Sequence, residues 1–88
     1  MESNKIKDRI IEDFSHTEDV LFADGLDKAI VGFEPNLWKV VYSRNLVVDI
    51  LMSRDNMTAD EAIEFAEYNI FSAMVGEKTP LWIEDYNW

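Results

Sequence analysis

The chain has 88 residues, 48% of them hydrophobic, with 18 acidic and 8 basic side chains and a net charge of −10. That is one domain with enough apolar content for a core, and the lack of cysteine excludes disulfides and zinc–thiolate sites. The charge argues against direct nucleic-acid binding, because phosphate contacts need a basic surface.

Residues 3–14 read as a helix, with Ile6, Ile10 and Phe14 spaced by four and Ile11 widening the stripe. Lys5, Lys7 and Arg9 precede Glu12 and Asp13, the reverse of what the helix dipole favours. Such a helix frays unless another element holds it. Ser15 and Glu18 form a capping-box pattern ahead of Val20, Leu21 and Phe22, which predicts a short helix over 16–23. Asp24-Gly25 is a turn signal.

Residues 28–33 read as a strand in which Gly32 marks a bulge or a close approach by another backbone. A turn over 34–37 and a second strand over 38–42 complete an antiparallel hairpin. Ser43 is placed to cap a helix over 44–54 that buries Leu46, Val47, Ile50 and Leu51. Asp55-Asn56 breaks it, and the next helix follows so closely that a helical hairpin results.

The stretch 57–80 organises the rest. Thr58 and Glu61 form a capping box, and Gly76 and Pro80 supply the stop signals. Ala59, Ala62, Ile63, Ala66, Ile70, Ala73 and Met74 make an apolar stripe over 59–75. Its alanine side should lie against a β layer. Phe71 and Val75 fall on the opposite side, so the last turns read as buried all round. Residues 79–83 form a final strand, which either is an edge strand or begins at the proline, because Pro80 has no N–H to donate. The fold class is therefore α+β: a small antiparallel sheet (hairpin plus C-terminal strand) packed on a helical hairpin. An additional N-terminal helix docks at the side or contributes to a homodimer.

No apolar run reaches membrane-spanning length, and the first ten residues lack the apolar core of a signal peptide. A cytoplasmic protein without membrane association is expected. Acids cluster on the central helix, where Asp60, Glu61, Glu64 and Glu67 occupy the exposed side. They read either as a solvating surface or as a phosphate-mimicking row that engages a basic partner. Tyr86 and Trp88, in an aromatic tail, either extend that candidate interaction surface or cover the domain's own sheet edge. Asn69 borders the small-residue face, and a buried amide there needs partners. It forms either a structural hydrogen bond or, with Trp82 and Tyr42, a ligand pocket. His16, the lone histidine, lies near Glu12 and Asp19 but reads as a solvated residue near a helix end. With no nucleophile elbow, phosphate loop, metal spacing or catalytic carboxylate pair, neither an enzyme nor a cofactor is expected.

Gly32, Tyr42, Asp55-Asn56-Met57, Glu61-Ala62, Glu64, Asn69, Gly76-Glu77 and Thr79-Pro80 resemble a family of short uncharacterised proteins encoded by tailed bacteriophages and prophage-bearing bacterial genomes. The pattern there looks like D-G-M-[ST]-x-E-E-A, an asparagine further along the helix, then V-G-E-x-T-P. This chain has Asn56 in place of the glycine and Asp60 in place of the first glutamate. The likeness covers residues 28–83 and not the first 27. It implies a phage-type accessory protein and no particular chemistry. Two functions follow as expectations. One is a protein that binds and modulates or inhibits a host protein, such as a basic nucleic-acid-handling or defence factor. The other is a binder that sequesters a nucleotide-like small ligand, which would require Arg44, Arg54 or Lys78 to converge.

Overall fold

The computed structural model describes residues 4–14, 19–74 and 76–86. Ser15, Glu18, His16, Val75 and Trp88 lie outside the described residues, so the capping-box pattern at 15–18, the lone histidine and the terminal tryptophan are not placed.

Helix α1 spans Lys5–Phe14. Asn4 holds its start. The Asn4 side-chain oxygen accepts from the Ile6 backbone N–H at 2.7 Å, while its amide nitrogen donates to the carbonyls of Asp27 (2.6 Å) and Ile30 (3.2 Å). Lys7 adds a 2.9 Å ion pair with Asp27 and lies over the Phe22 ring. These tertiary ties offset the unfavourable charge order along the helix. Only Ile10 is fully buried and Phe14 partly so, whereas Ile6 and Ile11 are exposed, so the apolar stripe is narrower than its spacing predicts.

The predicted helix over 16–23 is not formed where it is described: residues 19–23 have no regular structure. Val20 and Phe22 instead pack on the core from a segment without regular structure. A 3₁₀ turn at Asp27–Ala29 leads into strand β1, Ile30–Glu34. Strand β2 is Lys39–Ser43, antiparallel to β1. The register slips between Ile30 and Gly32, so the bulge predicted at Gly32 is present. No backbone crowds that glycine, since a Cβ there would meet nothing within 4 Å. Trp38 belongs to the turn, at φ 61°, which is why β2 starts one residue later than its composition suggests. Glu34 fixes the turn by accepting from the Asn36 and Leu37 N–H groups, both at 2.9 Å.

Ser43, fully buried, caps helix α2 (Arg44–Asp55) by accepting from the Leu46 N–H. Val47 and Leu51 are the buried residues of α2. Asn56 ends it in the left-handed conformation, φ 58°, which asparagine tolerates better than most residues. Helix α3, Ala59–Ala66, starts with the predicted reciprocal capping box of Thr58 and Glu61.

The chain departs most from the sequence reading at the end of α3. Residues Glu67–Phe71 form a π-helical turn and the helix stops there, with Ser72 as its cap. A π turn closes i→i+5 hydrogen bonds and so rotates less per residue than the α-helix. The slower rotation brings Ile70 and Phe71 toward the core side, where both are half-buried. Ala73 and Met74 are exposed, Met74 by 81%, so the last turns are not buried all round. The buried residues of α3, Ala62 and Ala66, belong to a helix that packs chiefly on α2 rather than on a β layer. α2 in turn covers β2.

Strand β3, Leu81–Ile83, pairs with β2 in parallel, in the order β1-β2-β3. The sheet is therefore mixed rather than wholly antiparallel. The helical hairpin is the crossover that a parallel pair requires, and residues 72–80 return the chain to the end where β2 begins. β3 is an edge strand, and the buried Pro80 precedes it. The protein is an α+β domain whose core runs through Ile30, Val40, Tyr42, Val47 and Leu51. No helix among the described residues is long and apolar enough to cross a membrane.

Candidate functional site

A cleft of about 420 Å³ opens between segment 21–26, the end of α2, the α3–π unit and the segment leading into β3. Its apolar walls come from Phe22, Leu26, Leu51, Phe65, Ile70 and Trp82. Asp24, Arg54, Asp55, Asn69 and Thr79 supply its polar groups. Two of the three predicted pocket residues, Asn69 and Trp82, therefore share one concavity.

Asn69 is not the buried amide that the sequence predicts. It is exposed, and its amide nitrogen donates to the Phe65 carbonyl one turn earlier, at 3.1 Å. The π turn carries it off the core-facing side to the cleft rim. Trp82 is held between rings, 4.8 Å from Tyr42 and 5.5 Å from Phe71, and the Arg44 guanidinium covers Phe71 at 4.3 Å. The Trp82 indole nitrogen is buried and has no hydrogen-bond partner among the described residues.

Tyr42 does not line the cleft. It is 0% exposed behind Trp82, and its hydroxyl accepts from the Ala23 N–H at 2.7 Å. Burial pushes its pKa up to about 12, against the Ala23 hydrogen bond, which lowers it, and with a smaller upward push from Asp27. The hydroxyl is a structural group.

The three cations expected to meet an anionic ligand do not converge. Arg54 lines the cleft, but its guanidinium contacts both Asp55 carboxylate oxygens and donates to the Gly25 carbonyl at 2.8 Å. Arg44 pairs with Glu67 at 3.3 Å, and Lys78 lies 6.0 Å from the Trp38 ring centre. Neither lines the cleft.

The other predicted surface lies next door. Asp60, Glu61, Glu64 and Glu67 are all exposed. Two have internal duties: Glu61 accepts from the Thr58 N–H and Glu67 pairs with Arg44. Between the acids the helix exposes Phe65 and Tyr68, the latter by 77%. A shallow depression of about 440 Å³ is lined by Met57, Glu61, Glu64, Phe65, Tyr68 and Asn69. Phe65 and Asn69 belong to both concavities, so cleft and depression form one surface. The spacing of residues 61, 64, 65 and 68 carried this signal, since these positions share one helix face. Tyr86, 88% exposed after β3, lines neither concavity. No group of three or more metal-ligating side chains occurs among the described residues.

No protein-family model, no curated protein and no solved structure matches the chain.

Proposed function

We propose that the chain is a phage-type accessory protein, not an enzyme, that binds a host protein in the host-cell cytoplasm and modulates or inhibits it. The contact surface is the outward face of α3 and of the π turn that continues it. One observation carries this reading: Phe65 and Tyr68 are exposed and line one depression with Glu61 and Glu64, on α3 and the π turn that continues it, a unit anchored at its start by a capping box. Aromatic side chains supply contact area at low entropic cost, and the surrounding carboxylates select a basic partner, as on a nucleic-acid-handling or defence factor. The net charge of −10 steers the same class of partner.

The test compares capture from a bacterial host lysate by the wild type and by a Glu64→Gln/Tyr68→Ala double variant. A protein retained by the wild type at low and moderate salt and lost by the variant supports the reading. No retained protein, or equal retention by both, overturns it.

A second reading is a small-ligand binder, favoured by Asn69 and Trp82 lining one cleft of a size typical for ligands. Its acidic rim and its single engaged guanidinium argue against a nucleotide-like anion. Thermal shifts with a nucleotide and metabolite panel decide this reading, and the absence of stabilisation removes it.

A further inference from the structure

The cleft raises a question that the α3 face alone does not answer: which part of a partner enters it. We infer that it receives one large aromatic side chain from a basic peptide segment, whose Lys and Arg residues lie along the adjoining carboxylates. This rests on the protein-binding reading above and names the chemistry of the partner.

Charge selects the occupant. Around the cleft and the depression stand Asp24, Asp55, Glu61 and Glu64, against Arg54 alone, which Asp55 already engages. An anionic ligand would meet repulsion there, and a neutral one would leave the carboxylates unused. Shape selects the anchor. About 420 Å³ between Phe22, Leu51, Phe65, Ile70 and Trp82 holds an indole or phenyl ring with room to spare. Buried aromatic anchors ringed by polar contacts are the usual centre of a protein interface. Continuity selects a peptide rather than a free small molecule, because Phe65 and Asn69 join the cleft to the depression. A chain with its ring in the cleft has its neighbours beside Glu61 and Glu64. Trp82, whose buried indole N–H has no acceptor among the described residues, is part of the wall that this ring would press on.

Two synthetic nine-residue peptides test this, both with Lys and Arg flanks, one with a central Trp and one with a central Ala. Each is titrated into the isotope-labelled full chain and followed by amide and indole NMR signals. The Trp peptide is expected to shift the Trp82 indole and Asn69 side-chain signals saturably, and to bind at least 10-fold tighter than the Ala peptide. Asn69→Trp, at an exposed rim position, should weaken the Trp peptide about 10-fold. Ala73→Trp, beyond the helix, serves the same purpose if the first variant loses its fold. Equal binding of the two peptides, or no saturable shift at Trp82, overturns the inference. If lysate capture still depends on Glu64 and Tyr68 in that case, the protein-binding reading stands and only the cleft assignment falls.

Discussion

The Tyr42 hydroxyl accepts the Ala23 backbone hydrogen bond at 2.7 Å, tying the central strand to a segment without regular structure. The same segment forms one wall of the cleft through Leu21, Phe22 and Ala23. The phenol adds to the core packing of Val20 and Phe22 and to the Arg54 hydrogen bond to the Gly25 carbonyl in holding that segment.

Tyr42→Phe leaves the Ala23 N–H without an acceptor and should cost about 1–3 kcal/mol in urea unfolding. The pH dependence has a definite sign. The phenol ionises near 10 in the unfolded chain and near 12 in the folded one, so the unfolded state releases its proton first. Stability from this group is complete below pH ~10 and falls by about 2–3 kcal/mol as the pH rises toward ~12. The Phe variant should lack that alkaline loss.

Asn4→Ala removes the N-terminal hydrogen bond of α1 and both side-chain bonds to the Asp27 and Ile30 carbonyls. A cost of about 1–3 kcal/mol is expected. Hydrogen exchange should report the loss as faster opening of residues 5–14 than of β2.

Two glycines should respond oppositely. Gly25 has φ +78°, and a Cβ there would meet the Arg54 guanidinium at 3.0 Å. Gly25→Ala should destabilise by about 1 kcal/mol or more and shift Arg54 at the cleft. At Gly32 no positive φ or close neighbour stands in the way. Gly32→Ala should stay within about 1 kcal/mol of wild type, on the stabilising side. Paired thermal melts check both.

Thr58→Ala removes one half of the capping box and should cost about 1 kcal/mol. Because α3 displays Phe65 and leads into the π turn that displays Tyr68, partner capture should weaken with it. Glu61→Gln keeps an acceptor for the Thr58 N–H and should retain most of the stability while removing one carboxylate from the face.

Start signals and strand composition were legible in the sequence. Ser43 and Thr58 cap helices as their hydroxyls suggest, and the hairpin and its bulge form around Gly32. The rotation of the chain was not. Reading positions 70–74 at a uniform helical period put Met74 on the buried stripe and Phe71 on the opposite side of turns buried all round, whereas with the π turn Phe71 packs on the core and Met74 is exposed. Nothing local signals a wider turn. The gain comes from Phe71 meeting Trp82 and Arg44, residues distant in sequence. Asn69 was found as a cleft residue for the wrong reason, since its amide is exposed rather than buried. The parallel pairing of β3 was hidden because strand direction depends on how residues 72–80 run, not on their composition. The cleft itself draws on four separated segments, so no motif spacing could announce it.

Pairing Val41 with Leu81 joins two strands across both helices of the hairpin. Contacts that distant along the chain form slowly, because loop closure must come before any reward. β1, β2 and α2 can assemble from neighbours, while Trp82 arrives only once the whole crossover is in place. Substitutions in the last strand should thus accelerate unfolding far more than they retard refolding.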